Sequence, residues 1–190
     1  SAVVWGDWHE RDLRSMVRRD RNHPSVVAWS IGNEVIEQWF EDGWRLGARL
    51  AAIVRSEDPT RDVTGGFNNE NAGFNGFQTH LDAIGINYKT FEYGPLHASQ
   101  PHLAVYGSET ASTISTRGEY FFPVELGNKL HGRVNFQVSS YDLSAADWAN
   151  LPDLEFQRLD DAPWAAGEFV WTGFDYLGEP TPYNSDATNL

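Results

Sequence analysis

Between His23 and Glu34 the chain reads His-Pro-Ser-Val-Val-Ala-Trp-Ser-Ile-Gly-Asn-Glu. This run is almost continuously apolar from Val26 to Ile31, opens on a proline and closes on two strongly polar side chains. An apolar run without alternation is the pattern of a strand buried on both faces, as in a parallel sheet covered by helices. The pattern recurs at Leu103 to Glu109, which ends in small residues and a glutamate, and at Ala165 to Trp171, which ends in a tryptophan. Shorter runs predict strands at Asp62 to Phe67 and Leu81 to Tyr88. The intervening segments change period. Asp7 to Asp20 places Leu13, Met16 and Val17 on one helical face, with Asp7 as a cap and Glu10 three residues later. Glu37 to Glu57 predicts a second helix with Trp44, Leu50, Ile53 and Val54 inward, stopped by Asp58-Pro59. Phe91 to Gln100 is a poor helix, and Ala145 to Asp160 a further one. Thr110 to Ser144, rich in Gly, Ser and aromatics, has the length of a functional loop. The tail from Gly178 to Leu190 reads as irregular.

Strands alternating with helices predict an α/β fold with a parallel sheet and right-handed crossovers. In an α/β barrel the C-terminal strand ends form the active-site mouth, so an acid placed there is a candidate for chemistry. Glu34 and Glu109 both satisfy that condition. Only five convincing strands are present, whereas a complete eight-stranded barrel takes about 250 residues. The 190 residues therefore predict part of a (β/α)8 barrel.

Composition narrows the chemistry. With 14 basic and 27 acidic residues the formal charge is −13, which argues against nucleic acid or an anionic membrane surface as partner. Hydrophobic content of 41% is that of an ordinary globular protein, and no stretch is long and apolar enough to span a bilayer. Ser1 to Asp7 lacks the basic start and apolar core of a signal peptide. The absence of cysteine removes disulfides and thiolate chemistry. Eight tryptophans suit either stacking on sugar faces or the filling of a barrel core. The six histidines show no HExxH or paired ligand spacing, so neither a metal nor a cofactor is expected. Arg11, Arg14, Arg18 and Arg19 lie off the apolar face of the first helix, where a solvated surface is a simpler reading than a phosphate site. Two glutamates at two strand ends, with aromatic residues nearby, suit the carboxylate pair that cleaves a glycosidic bond.

The residues also carry a resemblance. Asn22-His-Pro-Ser-Val-Val-Ala-Trp-Ser-Ile-Gly-Asn-Glu34 resembles the signature around the acid/base glutamate of glycoside hydrolase family 2, which contains β-galactosidases, β-glucuronidases and β-mannosidases. Tyr106-Gly-Ser-Glu-Thr-Ala-Ser112 resembles the nucleophile segment of that family. Phe169-Val-Trp-Thr-Gly-Phe-Asp-Tyr-Leu-Gly-Glu-Pro-Thr-Pro-Tyr183 resembles the end of its eighth strand. The last two segments are most similar to a bacterial β-galactosidase subgroup. The resemblance implies that the Val26 run is barrel strand 4, that Val63, Ile84, Val105 and Phe169 mark strands 5 to 8, and that residues 1–190 form the C-terminal portion of a catalytic barrel.

It also implies roles. Glu34 would protonate the leaving oxygen and then deprotonate water, which requires a raised pKa, and Glu109 would be the nucleophile. Either glutamate alone reads more simply as one of many surface acids; the two motifs together reject that reading. Asn33 would hydrogen-bond the sugar 2-hydroxyl, although by itself it reads as a strand-end turn residue. Tyr88 resembles the tyrosine that holds the nucleophile, and reads almost equally as a half-buried core residue. Trp171 matches a tryptophan that floors the sugar subsite, against a plain packing role. Glu179 and Asp175 are candidates for sugar hydroxyl contacts or for a loop surface, and Glu168 for a structural role. Some family members carry a histidine three positions after the nucleophile, where this chain has Ser112, so their metal and galactose contacts do not transfer. The expected substrate is a β-linked oligosaccharide or glycoside, with β-glucuronidase or β-mannosidase as the enzymatic alternative and a non-catalytic carbohydrate-binding domain as an alternative of another class. A chain with open strand edges is also expected to be inactive alone and to self-associate.

Overall fold

The computed structural model describes residues 2–120, 122–123 and 138–174. Its elements are α1 (Ala2–Asp20), β1 (Ala28–Asn33), α2 (Trp44–Glu57), β2 (Asp62–Phe67), β3 (Ala83–Asn87), α3 (Tyr93–Ser99), β4 (Ala104–Ala111), β5 (Thr113–Ile114), β6 (Ser144–Ala145), α4 (Pro152–Asp160) and β7 (Ala165–Trp171). A five-stranded sheet has the order β1-β2-β3-β4-β7, and β5 pairs antiparallel with β6. β1 runs parallel to β2 across α2, and β2 parallel to β3 across a loop that holds only the 3-10 turn Phe77–Thr79. The chain divides into two compact units, Ser1–Ile86 with Glu92–Tyr106, and Asn87–Phe91 with Gly107–Leu190.

In the first unit, β2 is the strand the apolar pattern describes best, because every residue from Val63 to Phe67 is buried. β1 departs from it. Val26 and Val27 precede the strand, Val27 is 82% exposed, and among the described residues β1 stands first in the strand order. The helices pack with Val17 of α1 and Leu50, Ile53 and Val54 of α2 inward. Trp44 is only half-buried and stacks on His80, ring centroids 5.0 Å apart. Asp7 does not cap α1; it lies inside a helix that begins at Ala2. The second helix starts at Trp44 rather than Glu37, because Ile36–Trp39 forms a separate 3-10 turn. Gly43 immediately precedes α2, where the backbone folds back closely on the 3-10 turn. A Cβ there would lie 1.8 Å from the Glu37 carbonyl oxygen, so no other residue fits. Among the described residues no helix is long and apolar enough to cross a membrane.

The arginines of α1 hold the two helices together. Arg14 and Arg18 both donate to the Glu57 carboxylate, at 2.7 and 2.6 Å, and Arg19 pairs with Asp20. Arg61 donates to the carbonyls of Val26, Arg21 and His23, pinning the turn that leads into β1, and to Asp58. Hydrogen bonds from Arg18 and then Arg14 hold the Glu57 carboxyl at about 2, below its ordinary 4.5. A depressed carboxyl stabilises the fold above its unfolded pKa and ceases to do so as pH falls through the folded one. The contribution of Glu57 is thus complete above about 4.5 and lost progressively toward 2. Glu57→Gln should therefore lower the melting temperature at neutral pH and leave less acid sensitivity between those limits. Parallel acid melting of both proteins would contradict the assignment.

In the second unit, α4 covers only Pro152–Asp160, much shorter than the Ala145 to Asp160 pattern predicts. Proline fixes the first helical turn and cannot sit inside a helix, so the helix starts at Pro152. Ala145, Ala146 and Ala149 instead form an apolar cluster on Tyr88, with Ile114 and Leu151 against it. Asp175, Glu179 and the Gly178 to Leu190 tail lie outside the described residues.

Candidate active site

The candidate residues sit where strands end. Within the first unit, β1 pairs Ser30 with Thr64 but Asn33 with Gly66, so β1 carries one extra residue before Asn33. Such a bulge turns the following side chains away from the regular pleat. Asn33 is exposed and Glu34 half-buried. Glu34 has φ +49°, and its N–H donates to the Gly66 carbonyl at 2.9 Å. A left-handed backbone at a non-glycine residue costs about 1–3 kcal/mol and persists only where surrounding contacts impose it.

Four residues after Glu34, Gln38 is 1% exposed and ties its turn to the loop that follows β2. Its side-chain oxygen accepts the N–H groups of Asn68 and Asn69 at 3.1 and 3.0 Å, and its amide donates to the Asn68 side chain at 2.7 Å. The Asn69 and Asn75 side chains donate to its carbonyl oxygen at 2.6 and 3.0 Å. The Asn-rich loop after β2 thus serves as a socket for one glutamine. Sequence reasoning did not single out Gln38, because an isolated glutamine on a short turn looks like surface.

Within the second unit, β4 brings up Glu109, half-buried near its C-terminal end. The Tyr88 N–H donates to the Glu109 carbonyl at 2.8 Å, and the Tyr88 hydroxyl donates to Glu109 Oε2 at 2.7 Å. One residue back, the Ser108 hydroxyl donates to Asn87 Oδ1. Tyr88 is 8% exposed, with φ +62°, and its ring rests on the alanine cluster. It is a core residue and a carboxylate partner at once. Past Glu109 the backbone turns through left-handed Ala111 and Ser112, at φ +67° and +61°. The Ser112 N–H donates to the Trp171 carbonyl at 3.1 Å, which ties the end of β7 to the end of β4. Trp171 is 40% exposed, a surface a ligand can stack on. Glu168 is half-buried in β7. Among the described residues no group of three or more acids and histidines is arranged to hold a metal ion.

Residues 4–116 match the family model described as glycosyl hydrolases family 2, TIM barrel domain. The chain belongs to glycoside hydrolase family 2. Its five-stranded sheet is part of that family's (β/α)8 barrel. A β-galactosidase of Bacteroides ovatus is 35% identical over 98% of this chain and 26% of its own length. The human β-glucuronidase is 27% identical over 92% of the chain and 27% of its own length. Among solved structures, a family 2 member from Bacteroides cellulosilyticus superposes with a TM-score of 0.66 at 28% identity, over 92% of this chain and 19% of that one. The chain thus spans about a quarter of the length of the curated relatives it matches.

Proposed function

We propose that this chain is the C-terminal portion of the catalytic barrel of a retaining exo-β-glycosidase, and that its substrates are terminal β-D-galactosides. The observation that carries the reading is the Tyr88 hydroxyl on Glu109 Oε2 at 2.7 Å. A tyrosine donor fixes which way a carboxylate presents its oxygens, the orientation a nucleophile needs. In this reading Glu109 attacks the anomeric carbon as Glu34 gives its proton to the departing glycosidic oxygen. A glycosyl ester forms and the C–O bond to the aglycone breaks. Glu34 then takes a proton from water, which attacks the same carbon and releases Glu109. Retention requires the two carboxyl groups about 5–5.5 Å apart. Asn33 contacts the 2-hydroxyl, Trp171 floors the sugar ring and Glu179 takes a ring hydroxyl.

Galactose is favoured by the likeness of the Tyr106 to Ser112 and Phe169 to Tyr183 segments to a bacterial β-galactosidase subgroup. Identity alone does not separate the sugars, since a β-galactosidase is 35% and a β-glucuronidase 36% identical. The test is a panel of aryl β-D-galactoside, glucuronide and mannoside given to the full-length protein, with the product anomer followed by NMR. The expected result is highest kcat/KM on the galactoside and release of β-galactose first. Preference for the glucuronide overturns the sugar assignment, and α-sugar as first product overturns the double displacement. Residues 1–190 alone are expected to hydrolyse nothing and to self-associate, since Phe169 on the edge strand β7 is 67% exposed. Turnover by that isolated chain would contradict the expectation.

A further inference from the structure

Glu155 is fully buried on α4, and both of its oxygens are committed. Oε2 accepts the Thr90 hydroxyl, and Oε1 accepts the Asn150 side-chain amide at 2.7 Å. Thr90, 2% exposed, also accepts a hydrogen bond from Arg158 Nη1 at 2.9 Å, so its single hydroxyl proton is left to point at Glu155. Arg158 in turn lies over the Phe91 ring at 5.9 Å. On the other side, the Asn150 N–H donates to the Ala111 carbonyl at 3.2 Å. One carboxylate therefore joins two segments. The first begins two residues after Tyr88; the second anchors the strand end two residues after Glu109.

A buried acid is costly unless every lone pair finds a donor, and an apolar side chain would fill a helix-packing position at less cost. Here the donors are Thr90, on the segment that follows Tyr88, and Asn150, whose N–H holds the Ala111 carbonyl just past Glu109. We infer that Glu155 is a positioning residue that keeps the Tyr88 hydroxyl on the Glu109 carboxylate by clamping Thr90 and Asn150 at a fixed distance. The inference rests on the nucleophile assignment made above. Glu155 acts through Tyr88 and touches no substrate.

The experiment is a double-mutant cycle in the full-length protein: wild type, Tyr88→Phe, Glu155→Ala and the double variant. For each, melting temperature is recorded, together with the affinity and rate constant of covalent trapping. The reagent is the 2-deoxy-2-fluoro glycosyl fluoride of the sugar the wild type cleaves best. Glu155→Ala should slow trapping by roughly 10²-fold, the penalty of an ångström-scale misplacement, with reagent affinity unchanged. In the Tyr88→Phe background the same substitution should add little further loss. Trapping at the wild-type rate in Glu155→Ala, or losses that simply multiply in the double variant, would overturn the inference while leaving Glu109 as nucleophile. Unaltered trapping in Tyr88→Phe would instead overturn the Tyr88–Glu109 link and the inference with it. If Glu155→Ala does not fold, Glu155→Gln keeps the volume and Thr90→Val removes one donor. Each should show a smaller loss of the same non-additive kind, and normal trapping in both would count against Glu155.

Discussion

Replacing Glu109 with glycine in the full-length protein is expected to lower the hydrolysis of aryl β-galactosides by a factor on the order of 10⁶, the scale on which loss of a covalent nucleophile is felt. Melting temperature should change little, because Glu109 is half-buried at a strand end and its main-chain bond to Tyr88 survives the substitution. The same variant should recover turnover in azide. Glycine leaves space for a small anion where the carboxylate stood, and Glu34 is still present to protonate the aglycone. The anomer of the product makes the test sharp. Azide standing in for Glu109 attacks from the nucleophile's face and gives the α-glycosyl azide, with inversion. A β-azide, or hydrolysis unchanged by the substitution, would remove Glu109 from the nucleophile's role.

That prediction was framed largely by features readable in the chain. Asn33, Glu34 and Glu109 stand at the ends of apolar runs, and Trp171 ends another. A buried strand has no reason to carry a carboxylate unless it has just reached a boundary. The same logic located β2 and β7 almost to the residue. It failed where a local signal has two meanings. Asp7 followed by Glu10 has the form of a capping box, yet α1 continues through it to Ala2. The alanines after Ser144 have high helix propensity but serve as a low, smooth bed for the Tyr88 ring. Pro152 marked the true start of α4, and the propensity of the preceding residues masked that signal.

Gln38 and Glu155 could not have been found in this way. Each is a lone polar residue, and each is significant only because distant donors converge on it: Asn68, Asn69 and Asn75 on the first, Thr90 and Asn150 on the second. Local pattern reports which face of an element is buried. It cannot report which polar group will find all of its partners there. The strand-end glutamates are legible because they break a pattern, and Gln38 and Glu155 are not because they conform to one.

Glu34→Ala should behave differently from the Glu109 variant, and the contrast tests the division of labour between the two acids. Removing a general acid costs about 10²- to 10⁴-fold when the leaving group needs its proton. A galactoside with an alkyl or sugar aglycone should lose that much in kcat/KM. A dinitrophenyl galactoside, whose phenolate leaves unaided, should form the glycosyl ester at nearly the normal rate and then stall, since no base remains to activate water. The ester would accumulate, KM would fall with kcat, and a burst of phenolate equal to the enzyme concentration would precede slow turnover. Azide should relieve the stall without needing deprotonation, and it now arrives on the face opposite Glu109, so the product is the β-azide. Opposite azide anomers from the two variants follow only if Glu34 and Glu109 work on opposite faces of one sugar. Equal losses for all leaving groups in Glu34→Ala, with no burst, would place the proton donor elsewhere. The left-handed turn at Glu34, φ +49°, would then be left without a part in the chemistry.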